Sequence, residues 1–149
     1  MVTPAELDAF LQKHKRIGID SNVLIYFVEG HSRFGSLATR VFDRVEAGRN
    51  SAVCATVSLL EILVQPYRRD DTPLVNKFYG LLTTYPHLSF MDLTATTADL
   101  AARLRARYGL KTPDAIVIAS AIQAGATGLV ANDLRIKAMP EIDLLLLSA

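Results

Sequence analysis

The sequence predicts an α/β protein, a three-layer α/β/α sandwich with a central parallel sheet of about five short strands. Short apolar segments of strand length alternate along the chain with segments of helix length. Strands separated by helices of about 10–15 residues favour right-handed parallel crossovers, which put helices on both faces of the sheet. No repeat, low-complexity stretch or linker divides the sequence, so we expect one domain over residues 1–149.

Capping signals predict where several helices begin. Thr3 and Glu6 form a capping-box pattern, Thr96 and Asp99 form a second one, and Thr56 can cap the helix that contains SLLEIL. A polar run that starts at Pro66 predicts a loop. The predicted helices are 3–14, 22–28, 35–47, 56 through SLLEIL, 72–85, 96–108 and 112–125. The predicted strands are 16–20, 51–54, 88–91, 128–131 and 142–146.

Composition excludes several classes of protein. Sixteen Lys and Arg against fifteen Asp and Glu give a net charge of +1, so bulk positive charge does not indicate a nucleic-acid coat. A single cysteine excludes a disulfide framework, and the three histidines lack the spacing of zinc ligands. The first residues lack signal-peptide features and no apolar run is long enough for a membrane span, so we expect a cytoplasmic protein.

Four acidic residues fall near the predicted carboxyl ends of strands or on the helices that follow them. Asp20 ends the first strand, and Glu61 interrupts an otherwise apolar helix. Asp114 lies in the first turn of an apolar helix, and Asp133 comes just after the fourth strand. Ligands of such sheets bind outside the carboxyl ends of the strands. We therefore expect the four carboxylates to converge on one edge of the sheet.

Four converging carboxylates cannot all stay ionised without a compensating cation. They offer only hard oxygen ligands, which suit Mg²⁺ or Mn²⁺, and such a site matches metal-assisted hydrolysis of a phosphodiester. Three of the acids also have local explanations: Asp20 and Asp133 could cap helices, and Asp114 could interact with its helix dipole. Glu61 has no basic residue three or four positions away.

These segments resemble the PIN domain, in particular its VapC-like branch. The stretches IDSNVLIY, SLLEILVQPYR, LKTPDAIVIASAIQAGA and LVANDLRI carry the resemblance, which extends from Ile17 to Leu145. It implies a PIN-like fold, four catalytic acids that bind Mg²⁺ or Mn²⁺, an RNA substrate and inhibition by a small antitoxin protein. Two positions depart from the family pattern: Ala131 replaces the usual Thr or Ser, and Ile136 replaces a common aromatic residue.

Smaller polar residues lie next to the acids. Ser21 could orient Asp20 or cap the following helix, and Asn22 and Asn132 could hold water or phosphate or act as caps. Basic residues could contact substrate phosphates, although a solvated surface would also explain them. These basic groups are Arg68-Arg69, Arg103-Arg105-Arg107-Lys111 and Arg135-Lys137.

Other functions stay open on the sequence alone. The chain could be a PIN nuclease of RNA processing without an antitoxin, or a catalytically silent PIN module that binds RNA or protein. It could also be another phosphate-handling α/β protein, but a HAD-type site needs Asp where Asn22 stands, and no P-loop motif occurs.

One region has more apolar residues than a single core-facing stripe requires. Residues 23–28 are apolar throughout, and Phe34 follows them. A helix that is apolar all round should be covered on more than one side. We therefore expect this region to form a homodimer interface or an antitoxin groove.

Overall fold

A computed structural model describes residues 1–149, and its seven helices surround a five-stranded sheet. All strand pairs are parallel, which confirms the predicted α/β class. The strands are β1 (Arg16–Ile19), β2 (Ser51–Ala55), β3 (Leu88–Met91), β4 (Gly128–Ala131) and β5 (Asp143–Leu146). The helices are α1 (Pro4–Lys13), α2 (Ser21–Glu29), α3 (Gly35–Glu46), α4 (Thr56–Arg68), α5 (Thr72–Thr83), α6 (Ala95–Tyr108) and α7 (Thr112–Gln123).

The strand order is β3-β2-β1-β4-β5, so β1 lies at the centre of the sheet. The chain first builds outward from β1 to β3 and then crosses back to add β4 and β5 on the other side. This reversal makes the gap between β1 and β4 a topological switch point, where open parallel sheets form a crevice. None of the helices combines the length and apolar character that crossing a bilayer requires.

Capping at Thr3 is confirmed, whereas three other predicted boundaries are wrong. The N-cap of α4 is Ala55 and Thr56 is already helical, so Thr56 does not cap this helix. The α6 cap is Thr94, not Thr96, because the Thr94 hydroxyl accepts from the backbone N–H of the fully buried Thr97. Helix α4 continues through Pro66 to Arg68 instead of ending before the proline. Ser58, Ile62 and Pro66 are all buried and spaced four apart, so burial along one face of α4 keeps the proline within the helix.

The sheet separates two hydrophobic cores. Ile17 and Ile19 of β1 face the larger core, which contains apolar residues of α1, α2, α3 and α5. Leu129 and Ala131 of β4 face the second core, formed mainly with α6 and α7. The alternation of side chains along each strand therefore assigns the two helical layers.

The apolar excess of α2 is largely covered within the chain. Phe34 is buried, and Tyr26 stacks on it, with 5.1 Å between the ring centroids. Phe27, which is partly buried, stacks on Phe42 at 3.9 Å. Large exposed apolar side chains lie instead outside α2, and include Leu60, Tyr67, Tyr79, Leu81 and Leu93. Only the partly buried residues of α2 are therefore left to contribute to the expected interface, and Phe34 is not available to it.

Gly18 lets α7 approach the central strand. A Cβ atom at position 18 would lie 2.6 Å from the Cβ of Ala121 and 2.9 Å from a methyl group of Leu129. Both neighbours are fixed in the second core, so an added methyl group would push α7 away from β1. Because α7 also carries Asp114, this contact sets the position of one of the four acids.

We expect Gly18→Ala to lower the free energy of unfolding by about 1–3 kcal/mol through overpacking, as measured by urea denaturation. Gly80→Ala is the matched control, because no atom lies within 4 Å of its added Cβ and the residue is inside α5. That variant should gain up to about 1 kcal/mol in helix propensity. Equal effects of the two substitutions would contradict the close approach of α7.

Candidate active site

The structure places the four predicted acids near the carboxyl edge of the sheet. Asp20 directly follows β1 and Asp133 follows β4, on the two sides of the switch point. Glu61 lies on α4, which follows β2, and Asp114 lies in the first turn of α7. Negative charge on the other three carboxylates raises the pKa of Asp20, and Asp133 and Glu61 also raise the pKa of Asp114. The four side chains are therefore electrostatic neighbours.

Asp20 is the buried member of the group, with only 4% of its surface exposed. Burial raises its pKa to about 6, the Ser21 N–H opposes part of this rise, and repulsion by the other three acids adds to it. Asp20 occupies the N-cap position of α2 but makes no side-chain capping hydrogen bond. Helix capping therefore does not explain this carboxylate.

Glu61 is held by a pair of serines. The Ser21 hydroxyl lies 3.0 Å from Glu61 Oε1 and 2.8 Å from the hydroxyl of the fully buried Ser58. Because a carboxylate only accepts, Ser21 donates to Glu61 and can accept from Ser58. Ser21 thus orients Glu61, whereas the sequence suggested Asp20 as its partner. The sequence analysis missed Ser58, although its position three residues before Glu61 puts both on one face of α4.

Asp114 is partly buried at the amino end of α7. Burial raises its pKa, repulsion by Asp133 and Glu61 adds to the effect, and the cations Arg135 and Lys111 oppose it. A carboxylate that only complemented the helix dipole would have a lowered pKa. The raised pKa therefore indicates that neighbouring negative charge and burial outweigh the dipole at Asp114.

Asp133 is paired with an arginine two residues further on. The Arg135 Nε lies 2.9 Å from Asp133 Oδ1, and its Nη2 lies 2.6 Å from Oδ2. The backbone N–H of Arg135 also donates to Oδ1, over 2.9 Å. These hydrogen bonds lower the pKa of Asp133. No helix follows β4, so the alternative that Asp133 caps a helix is wrong.

The two asparagines differ in their surroundings. Asn132 donates to the Tyr26 hydroxyl over 3.0 Å, and its carbonyl oxygen accepts from the backbone and hydroxyl of Ser148. These bonds tie the end of β4 to α2 and to the carboxyl terminus, so Asn132 supports the loop that carries Asp133. Asn22 is the second residue of α2 and is partly exposed.

The chemistry of the four side chains fits a hard divalent cation, because carboxylate oxygens are the ligands that Mg²⁺ and Mn²⁺ prefer. In this structure no three Asp, Glu, His or Cys side chains are gathered closely enough to hold a metal ion. Glu61 is instead hydrogen-bonded to Ser21, and Asp133 to Arg135. Coordination by all four acids would therefore require Asp133 to leave its arginine.

The sequence matches the PIN domain family over residues 17–142. The fold is similar to that in the crystal structure of VapBC2 from Rickettsia felis bound to a DNA fragment from their promoter, with a TM-score of 0.70 and 16% identity, covering 87% of this chain and 97% of the other. A toxin–antitoxin complex from Klebsiella pneumoniae gives a TM-score of 0.65 and 19% identity, covering 85% and 94%. No curated protein sequence matches the chain significantly.

Without divalent metal, Asp20→Asn should stabilise the protein at neutral and alkaline pH. The folded pKa of Asp20 is about 6 against an ordinary value of 3.8, so the stability linked to this group is complete below pH 3.8 and is lost as the pH rises through 6. A shift of this size corresponds to at most about 3 kcal/mol. Urea unfolding in EDTA should show similar stabilities near pH 4 and a more stable variant near pH 8.

Asp99→Asn is the control for this measurement, because Asp99 is an exposed carboxylate on α6 and is paired only with Arg103. It should show no such gain at alkaline pH. An Asp20→Asn protein that is less stable than the wild type near pH 8 would contradict the description of Asp20 as a carboxylate strained by burial and like charge.

Proposed function

Since the chain belongs to the PIN domain family, we propose that it is a metal-dependent endoribonuclease that hydrolyses RNA phosphodiester bonds, and that it acts as a VapC-like toxin neutralised by an antitoxin. The observation that carries the proposal is the group of four carboxylates at the switch point of the sheet. A site of this composition binds hard cations and substrates that carry phosphate. Mg²⁺ or Mn²⁺ is the proposed cofactor.

Asp20, Glu61, Asp114 and Asp133 are the proposed metal ligands and catalytic residues. When bound, the metal would supply a low-pKa water and stabilise the charge that develops on the phosphate. The chain contributes the fixed geometry: α2 begins at Asp20, and Ser21 with Ser58 holds the Glu61 carboxylate. Lys111 and Arg135 add positive charge beside the acids, which favours a phosphate-bearing substrate.

An antitoxin is the proposed protein partner. The likeness to toxin–antitoxin complexes supports it, and so does apolar surface that the chain leaves open. Leu60 and Tyr67 on α4 are 61% and 64% exposed and border one groove with Leu63 and Val64. Contiguous exposed apolar side chains are typical of protein interaction sites. A homodimer could use the same kind of surface.

A PIN nuclease of RNA processing without an antitoxin is the second candidate, and the same four acids support it. The two candidates differ in whether expression of the chain alone harms a cell. A catalytically silent binding module is the weaker alternative, because all four carboxylates are present at one edge of the sheet.

We expect Asp20→Asn, Glu61→Gln and Asp114→Asn each to lower the rate of RNA cleavage by more than about 100-fold, since losing even an outer partner of a metal ligand costs roughly 10–100-fold. Cleavage of a labelled single-stranded RNA should stop in EDTA and resume with Mg²⁺ or Mn²⁺. Asp99→Asn, the exposed acid on α6, should keep wild-type activity. Full activity in EDTA would exclude the metal mechanism.

Inducible expression in bacteria tests the toxin role. The wild-type chain should arrest growth, and the cleavage-deficient Asp20→Asn chain should not. Co-expression with a small protein encoded directly beside this gene should restore growth and give a stable complex in size-exclusion chromatography. RNA cleavage in vitro combined with normal growth during expression would favour the processing nuclease instead.

A further inference from the structure

We propose that Arg135 is a built-in cation that occupies Asp133 until a divalent metal displaces it, and that the freed guanidinium then binds a phosphate of the substrate. This inference rests on the proposed metal-dependent nuclease. It assigns a substrate-binding role to a residue that is neither an acid nor a metal ligand.

The contact between Arg135 and Asp133 uses both carboxylate oxygens. The guanidinium makes three close contacts of 2.6–3.2 Å with them, and the backbone N–H of Arg135 adds a fourth at 2.9 Å. A carboxylate that is engaged at both oxygens cannot also offer them to a metal without giving up hydrogen bonds. This pairing leaves Asp133 engaged in a structure where no three acids are gathered for a metal.

Exposure makes the exchange feasible. The Arg135 side chain is 65% exposed, whereas that of Asp133 is 12% exposed. The arginine can therefore move into solvent while the Asp133 carboxylate stays near Asp20 and Asp114. The negative charges of these carboxylates attract a cation. A divalent ion carries twice the charge of the guanidinium, so this cluster favours it over the arginine.

The space beside the pair suits the freed side chain. Arg135, Lys111 and Asp114 line a cleft of about 120 Å³ that also borders Gly109, Leu110 and Ile136. Lys111 and the freed Arg135 put two positive charges on this cleft, which suits a phosphate group of the substrate. Arginine binds phosphate through two parallel hydrogen bonds, the geometry it now makes with Asp133.

The first test measures Mn²⁺ binding to the metal-free protein in the absence of RNA. The electron paramagnetic resonance signal of free Mn²⁺ reports how much of the ion stays unbound. Arg135→Ala should bind Mn²⁺ about 1.5- to fivefold more tightly than the wild type, the range for losing one partly exposed competing ion pair. Arg135→Lys retains the charge but loses the two-pronged contact, so its affinity should lie between the two. A lysine variant identical to the wild type would mean that only charge matters and would overturn the role of the two-pronged contact.

Arg40→Ala is the matched control. Arg40 pairs with Asp8 in the same two-pronged manner, at 2.7 and 2.6 Å, but joins α3 to α1 and contacts none of the four acids. It should leave the Mn²⁺ affinity unchanged. An Arg135→Ala protein with unchanged or weaker Mn²⁺ binding would overturn the proposal.

The second test is RNA cleavage at saturating Mn²⁺. Arg135→Ala should raise the KM for RNA more than it lowers kcat, and should reduce the salt dependence of RNA binding by about one phosphate contact. Arg135→Lys should restore part of the KM. An unchanged KM would overturn the phosphate role. A wild-type chain that binds no Mn²⁺ would refute the proposed metal site. Mn²⁺ affinity and RNA cleavage that are the same in the wild type and the Arg135 variants would refute only this inference.

Discussion

The burial of Asp20 beside other carboxylates is the constraint on which the rest of the site depends. Its side chain is enclosed between the end of the central strand and the start of α2. The chain relieves part of the strain with its own groups: Ser21 donates to Glu61, and Arg135 neutralises Asp133. Burial, with repulsion from the neighbouring acids added to it, keeps the pKa values of Asp20 and Asp114 raised, so a bound cation would stabilise the charged form of both.

The scaffold produces this constraint through its topology. Parallel strands bring all their carboxyl ends to one edge, and the reversal of strand order next to β1 opens a crevice between the segments that carry Asp20 and Asp133. Helix α7 brings Asp114 to the same crevice because Gly18 lets it pack closely on β1. The site is thus assembled from four segments that are distant in the sequence, and any shift of α7 would change it.

Local patterns predicted most of the elements, and tertiary contacts decided the rest. Strands 88–91 and 128–131 have the predicted bounds, since short apolar runs between turn residues have few alternatives. The continuation of α4 through Pro66 depends on burial along one face of that helix, which a proline rule does not include. Strand order also lies outside such patterns, because pairing is a tertiary property.

The acids themselves were predictable because isolated carboxylates stand out at the ends of apolar strands and within apolar helices. Their partners were less so. Ser21 is adjacent to Asp20 in the sequence, but its hydroxyl donates to Glu61 across the site and does not orient Asp20. The sequence identifies Arg135 as a basic residue near Asp133, but it does not show that the guanidinium donates to both oxygens of that carboxylate.

A crystal soaked in Mn²⁺ and measured at the manganese absorption edge would locate the bound ion. We expect an anomalous peak bounded by Asp20, Glu61 and Asp114, with Asp133 turned from Arg135 toward the ion. A crystal that takes up no manganese at this edge of the sheet, or binds it only elsewhere on the surface, would contradict the proposed metal centre.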